Sequence, residues 1–79
     1  MTYTYNVYPE ASNKVFDDAC AKIEDSIPNL VKSKVLIDVD GSVIQKYSQD
    51  NEVIKVFNDI EVDAVYVDSD IDLSSVFIK

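Results

Sequence analysis

The predicted fold is decided by one stretch of sequence, Lys34-Val-Leu-Ile-Asp-Val-Asp-Gly-Ser-Val-Ile-Gln-Lys-Tyr47. Two runs of alternating side chains, residues 34–39 and 42–47, flank the dipeptide Asp40-Gly41. This dipeptide is typical of a two-residue turn between antiparallel strands, because both residues of such a turn adopt positive φ. Gly41 is the only glycine in the chain, so backbone freedom is retained where a hairpin needs it. We therefore predict a β-hairpin with its turn at Asp40-Gly41.

The residues before the hairpin predict one strand and one helix. Residues 2–8 alternate and are rich in β-branched and aromatic side chains, which favours a strand that ends at Pro9. From Ser12 to Ile27 apolar residues recur at helical spacing, until Pro28 stops the pattern.

The residues after the hairpin predict a second helix and another strand. Ser48 or Asp50 can cap a helix that carries apolar residues at positions 53, 57 and 60. Residues 62–67 are predicted as a fourth strand, and the ending Val76-Phe77-Ile78 could add a short fifth strand.

The resulting order β-α-β-β-α-β is the split β-α-β arrangement of ferredoxin-like domains. In that α+β fold, right-handed crossovers place two helices on one face of a four-stranded antiparallel sheet. We expect the 79 residues to form it as a single domain. The second face of the sheet stays open, and the alternation leaves apolar side chains on it. The candidate interface residues there are Tyr8, Leu36 and Ile44, which favour a homodimer or another protein contact.

Acidic residues outnumber basic ones by 15 to 7, which gives a net charge of −8. The chain contains no arginine and no histidine, the usual side chains for phosphate binding and for proton transfer at neutral pH. We therefore expect a binding protein that is not an enzyme and uses no cofactor. The negative charge disfavours direct contact with nucleic acid or a membrane, and it favours a basic protein or nucleoprotein complex as partner.

The cysteine content and the N-terminus favour a cytoplasmic location. Cys20 is the only cysteine, so an internal disulfide is excluded. The N-terminal residues lack the basic and apolar segments of a signal peptide, and no apolar run is long enough to cross a membrane. Because Cys20 lies within the predicted helix and has no histidine partner, we expect it to pack in the core rather than act as a nucleophile.

Two acidic motifs resemble metal-binding loops but lack some of the required ligands. Asp38-Val39-Asp40-Gly41 has neither the third oxygen ligand nor the distal glutamate of an EF-hand. Asp68-Ser69-Asp70-Ile71-Asp72 places three carboxylates at alternate positions, but Leu73 stands where glycine is needed and Lys79 where glutamate is needed. We expect a hairpin turn and a solvated acidic edge rather than metal sites.

RNA binding is disfavoured by the shortage of basic residues. Tyr3, Tyr5 and Tyr47 lie on predicted strands and could stack on bases, as aromatic residues do in one class of RNA-binding sheets. Such sheets also hold the RNA backbone with basic side chains, and here the sheet offers only three lysines.

Carboxylates recur along both predicted helices. Asp17 and Glu24 are seven residues apart, as are Asp18 and Asp25, so each pair follows one side of the first helix. A broad negative surface results if the second helix packs beside the first. The candidate partner-binding residues are Glu10, Asp17, Asp18, Glu24, Asp25, Asp50, Glu52 and Asp59. The alternative is a solvated helix face that serves only solubility.

In size, charge and composition the whole chain resembles the small, acidic, lysine-only proteins that bacteriophages encode against host defence, among them anti-restriction and anti-CRISPR proteins. Several of these imitate the phosphate charge of DNA. The resemblance implies an inhibitor in the host cytoplasm that occupies the nucleic-acid site of a host complex or blocks its assembly.

Two other interpretations stay open. An immunity protein or antitoxin that neutralises a basic nuclease would use the same electrostatic attraction. A dimeric ferredoxin-like structural or regulatory module would instead associate through its open sheet face. A steep salt dependence of partner binding would favour the acidic surface, and salt-insensitive association would favour the sheet face.

Overall fold

A six-stranded antiparallel sheet with a 14-residue helix packed on it forms the architecture of residues 2–77, the part of the chain that the computed structural model describes. In chain order the elements are β1 (Tyr3–Tyr8), α1 (Asn13–Ser26), β2 (Val31–Lys32), β3 (Leu36–Ile37), β4 (Val43–Gln49), β5 (Glu52–Asp59), β6 (Ala64–Ser69) and α2 (Ser74–Phe77). The fold is therefore α+β.

The centre of the sheet is a meander of β4, β5 and β6. β1 pairs with the outer side of β6, whereas β2 and β3 both pair with β4 at the opposite edge. Every pairing is antiparallel, so side chains that are directly opposite each other form rows across each face. One such row joins Ile44 to Phe57 and Phe57 to Tyr66.

The first helix forms where the sequence predicts it. The side chain of Ser12 accepts a hydrogen bond from the backbone N–H of Val15 and so caps the helix. The helix ends at Ser26, just before Ile27 and Pro28. Its buried face consists of Phe16, Ala19, Cys20 and Ile23. These side chains share one core with residues of the sheet and of the C-terminal segment, namely Tyr5, Tyr47, Ile54, Val56, Val67 and Leu73.

The expected ferredoxin-like fold is wrong, because the segment predicted as the second helix is strand β5. Ile54 and Val56 are fully buried and Lys55 between them is exposed, which is the alternation of a strand with one covered face. The apolar residues at positions 53, 57 and 60 also fit a helical spacing, and that ambiguity explains the error. Within residues 2–77 the sheet has six strands instead of the four predicted, because β5 replaces the helix and β2 was not predicted, and the second helix is the short α2 after the last strand.

The predicted hairpin is present, but its loop is longer than two residues. Ile37 pairs with Val43, so residues 38–42 form the loop. Gly41 has φ +92°, as expected, whereas Asp40 is not among the residues with positive φ. The predicted two-residue geometry at Asp40-Gly41 is therefore wrong.

A two-residue turn is found instead between β4 and β5. Gln49 pairs with Glu52 across this turn, and Asp50 has φ 54°. Aspartate is one of the few residues other than glycine that visits this region readily, so the turn forms without glycine.

The C-terminal segment is helical at Ser74–Phe77, where the sequence left a short fifth strand possible. Residues 74–77 form α2, and Val76 and Phe77 pack against the core. Ile78 lies outside the described residues. Leu73 is buried, and its backbone N–H donates a 2.7 Å hydrogen bond to the hydroxyl oxygen of Tyr5. This contact fastens the C-terminal segment to β1.

The two faces of the sheet differ in what covers them. The face under α1 is fully buried at its centre. The opposite face, called the open face below, carries an apolar row and a neighbouring pair of lysines. The apolar row is Leu36, Ile44, Phe57 and Tyr66, and the lysines are Lys46 and Lys55.

Candidate protein-binding surface

Two loops meet at one end of the sheet and bring carboxylates together there. The loop of residues 38–42 and the turn of residues 60–63 are joined by a 2.9 Å hydrogen bond from the N–H of Ile60 to the hydroxyl oxygen of Ser42. The chain before α1 reaches the same end, because the N–H of Ala11 donates to Asp63. We call this region the acidic end. Its carboxylates are Glu10, Asp38, Asp40, Asp59, Glu61 and Asp63.

Several of these carboxylates are held in place by backbone N–H groups. Asp40 accepts a 2.9 Å hydrogen bond from the N–H of Ser42, and this contact lowers the pKa of Asp40. Asp59 accepts from the N–H of Val62 and from the hydroxyl of Tyr66, both at 3.1 Å. The turns therefore fix the orientation of these charges, and a partner would bind them with little further loss of side-chain entropy.

The tips of the same two loops expose apolar side chains. Val39 is completely exposed, and Val62 and Ile60 are exposed to 65% and 44%. Turn tips usually carry Gly, Pro, Asn, Asp or Ser, because these residues favour turn conformations and tolerate water. Apolar tips ringed by carboxylates have the composition of a contact surface, in which apolar burial adds to charge attraction.

The carboxylates predicted on the first helix lie on α1 but do not form one continuous surface with those predicted on the second. Asp17, Asp18 and Asp25 are exposed, and within residues 2–77 they form no ion pair. Lys14 and Lys22 lie on the same helix and partly offset this charge. The outer surface of α1 is therefore less negative than the spacing alone predicts.

Glu24 differs from the other α1 carboxylates because it holds the helix to the sheet. It accepts a 2.6 Å hydrogen bond from the hydroxyl of Tyr47 and lies 3.3 Å from the ammonium of Lys32. The hydrogen bond from Tyr47 and, secondarily, the contacts with Lys32 lower the pKa of Glu24. These contacts between helix and sheet account for a carboxylate at position 24 without a binding partner.

The remaining predicted acidic residues separate because the second helix is a strand. Asp50 lies in the turn between β4 and β5, and Glu52 directly follows this turn, at the end of the sheet opposite the acidic end. Asp59 and Glu10 belong to the acidic end. Sequence reasoning missed Glu61 and Asp63 as members of a surface, and it treated Asp38 and Asp40 only as turn residues. The alternation of buried and exposed positions in residues 52–59 indicates a strand. This signal could have placed Asp59 at the end of that strand, beside the carboxylates of the two loops.

Leu36 and Ile44, two of the three predicted interface residues, pair directly on the open face. Tyr8 is 42% exposed but lies at the far edge of the sheet, beyond a bulge in β1. Two residues that sequence reasoning missed complete the row: the rings of Phe57 and Tyr66 stack with centroids 4.6 Å apart. Phe57 was assigned to a helix, which hid this pairing.

Cys20 and the C-terminal acidic motif have structural explanations. Cys20 is buried, and burial raises the pKa of its thiol. Asp68 accepts from the hydroxyl of Thr4, and Asp70 accepts from the N–H of Val53. Asp72 accepts from the N–H of Ser74, which lowers its pKa. Within residues 2–77, no three His, Cys, Asp or Glu side chains are grouped so that they could hold a metal ion.

No protein-family model, curated protein or solved structure matches this chain. Among the described residues, no helix combines the length and the apolar character that crossing a membrane requires.

Proposed function

We propose that this chain is a non-enzymatic inhibitor that binds, through its acidic end, the basic nucleic-acid-binding surface of a partner protein or nucleoprotein complex. The observation that carries the proposal is the combination at the acidic end of oriented carboxylates with exposed valines at the loop tips. The outer surface of α1, with Asp17, Asp18 and Asp25, is the second candidate for the contact.

The physics of the contact follows from what such partners bind. Proteins bind nucleic acid mainly through lysine and arginine side chains, which neutralise the phosphate charges. A competitor that carries spaced carboxylates can bind the same lysine and arginine side chains, and its negative charge increases the rate of association with the basic partner. The exposed Val39 and Val62 add apolar burial that a nucleic-acid backbone lacks, which would make the inhibitor's contact less sensitive to salt than the contact it displaces.

The biological setting is proposed from the resemblance to phage-encoded anti-defence proteins. A protein of this kind acts in the cytoplasm of the host cell and blocks a defence nuclease or its complex. An immunity protein or antitoxin that covers a basic nuclease would use the same surface in the same way, so both belong to the proposed class. Binding alone accounts for such an inhibitor, with no cofactor and no chemical step.

The proposal is tested by capture followed by competition. The immobilised chain is exposed to a lysate of the cells in which it is made at low salt, and bound proteins are eluted with rising salt. We expect a nucleic-acid-binding protein in the eluate whose binding to a labelled DNA or RNA duplex is abolished by the free chain. A captured protein that still binds its duplex at saturating concentrations of the chain would contradict the proposal.

A further inference from the structure

The net charge of the open face differs in sign on the two sides of its apolar row. Lys46, Lys55 and Asp68 are paired in one row on the side toward the turn between β4 and β5, and the two lysines leave this side with a net positive charge. On the other side, Asp38, Asp59 and Glu61 line a groove with Ile44, Phe57 and Tyr66 of the apolar row. A surface with this pattern is complementary to its own copy when one copy is reversed along the strand direction.

We propose that the open face binds a second copy of this chain, face to face, about a two-fold axis that runs along the apolar row and across the strands. This rotation packs the apolar row of one copy on that of the other. It also brings Lys46 and Lys55 of each copy over Asp38 and Asp59 of the other, so that each contact occurs twice. A two-fold axis parallel to the strands would place lysines on lysines, which is unfavourable.

The area of the face is sufficient for such a dimer. Five strand positions at a spacing of about 4.8 Å and strands of roughly 20 to 26 Å give a face of about 500 Å² in projection. Two such faces bury on the order of 1,000 Å², the lower limit for a specific interface. The apolar row supplies its centre, with Leu36 still 58% exposed in the single chain, and the charged rows form its rim.

A single-stranded nucleic acid fits the same face less well. Base stacking needs ring faces that are open to the bases, but Phe57 and Tyr66 lie parallel to within 14° and cover one face of each other. The hydroxyl of Tyr66 is also held by Asp59. The carboxylates beside the apolar row would repel a phosphate backbone, whereas a second copy brings lysines to them.

This inference goes beyond the proposed inhibition. In the dimer the two acidic ends lie on opposite sides. Asp38 and Asp59 of each end face lysines of the other copy, so one particle would present two copies of the remaining surface, formed by Glu10, Asp40, Asp63 and the exposed valines at the loop tips. Two copies of a partner, or two sites on one complex, would then be bound with an increased effective concentration.

Charge-reversal variants test the arrangement by sedimentation equilibrium at about 150 mM salt, where the Debye length of about 8 Å limits repulsion between the two negative chains. One variant is Lys46→Glu with Lys55→Glu, and the other is Asp38→Lys with Asp59→Lys, and circular dichroism confirms that each variant is folded. Each variant alone places like charges over each other, so we expect its dimer dissociation constant to rise by roughly tenfold or more. An equimolar mixture places opposite charges over each other in both contacts, and we expect it to form a heterodimer as tight as the parent dimer.

The same experiment can overturn the proposal. A parent chain that remains monomeric at about 1 mM protein would contradict the dimer itself, because chains that associate specifically are bound at that concentration. Two variants that each dimerise as tightly as the parent, or a mixture that stays monomeric, would contradict the charge register. Phe57→Glu tests the apolar row and should abolish the dimer, with circular dichroism as the control for folding. If the parent instead binds a single-stranded RNA oligonucleotide and the double lysine variant does not, the open face serves RNA and the dimer proposal fails.

Discussion

The hydroxyl of Tyr47, whose ring is fully buried on β4, donates a 2.6 Å hydrogen bond to the carboxylate of Glu24 on α1. This bond joins the helix to the sheet at the edge of the core, and it accounts for one carboxylate that would otherwise be counted as part of a binding surface. Glu24 thus differs from Asp17, Asp18 and Asp25 on the same helix, which form no ion pair within residues 2–77.

Replacement of Tyr47 by phenylalanine should destabilise the fold modestly. Tyr47→Phe keeps the buried ring and removes only the hydroxyl, while Glu24 stays accessible to water and to Lys32. We expect a loss of about 1 kcal/mol in the free energy of unfolding, measured by urea denaturation. Tyr8→Phe at the exposed edge of β1 is the matched control. A Tyr47→Phe variant as stable as the parent would show that the bond to Glu24 contributes nothing.

Stability should fall steeply at alkaline pH. Burial raises the pKa of Tyr5, Tyr47 and Tyr66 in the folded chain, and in Tyr47 the bond to Glu24 adds to the effect. Above a pH of about 10 the unfolded chain releases these protons and the folded chain retains them, so the free energy of unfolding decreases as pH rises. Each of these tyrosines contributes a slope of up to about 1.4 kcal/mol per pH unit, in the interval between its pKa in the unfolded chain and its raised pKa in the folded chain.

The check is urea denaturation at several pH values above neutrality. Tyr47→Phe should show a shallower decline than the parent, because one of the retained protons is gone. A flat profile for the parent up to a pH of about 11, where tyrosine in an unfolded chain is ionised, would contradict this assignment.

Asn58 should be among the most sensitive polar positions. Its side chain is 2% exposed and connects β5 to the start of α1, since its Oδ1 accepts from the N–H of Ser12 and its Nδ2 donates to Asn13, both at 3.0 Å. Asn58→Ala leaves the partly buried N–H of Ser12 without its acceptor, and we expect a loss of about 2 kcal/mol. Asn6→Ala, at an exposed position of β1, should change the melting temperature little. Equal effects of the two changes would contradict the role given to Asn58.

Gly41 should resist replacement by a β-branched residue. Its φ of +92° is strained for such residues, whereas an added Cβ would meet only Ile60 Cγ1, at 3.9 Å. The cost of Gly41→Val therefore comes from the backbone rather than from a clash, and we expect about 1 to 3 kcal/mol in thermal or urea unfolding. Gly41→Asn should be milder, because asparagine tolerates positive φ better. A valine variant with the same melting temperature as the parent would contradict the positive φ assigned to Gly41.

The strand β1, the helix α1 and, shifted by two residues, the strand β6 could be predicted from the sequence, whereas β2, β5 and α2 could not. Ser12 and Pro28 mark both ends of α1, and the apolar spacing between them fits only one structure. In residues 52–59 two patterns overlap, a helical one and a strand-like one, and the β-branched Val53, Ile54 and Val56 decide for the strand. Asp50-Asn51 is the turn that makes this strand pair with β4, and its positive φ is adopted by Asp50 rather than by glycine.

The candidate surface was predicted only in part for the same reason. Seven-residue spacing on α1 correctly placed Asp17, Asp18 and Asp25 at the surface, but it could not show that Glu24 bonds to Tyr47. The acidic end depends on two loops that are distant in sequence, residues 38–42 and 60–63, and on the pairing of β4 with β5. Because that pairing was not predicted, the loops were not expected to meet.

The affinities of four single variants for the captured partner show whether the acidic end makes the contact with the partner's basic surface. Glu10→Lys at the acidic end and Asp25→Lys on α1 change the net charge equally, and Val39→Ser at a loop tip is matched by Val31→Ser at the exposed β2 edge. We expect Glu10→Lys and Val39→Ser to raise the dissociation constant by roughly tenfold at low salt, and the two controls to leave it within about twofold of the parent. Equal weakening by Glu10→Lys and Asp25→Lys, with no effect of Val39→Ser, would show that net charge rather than the acidic end drives binding, and would contradict the account.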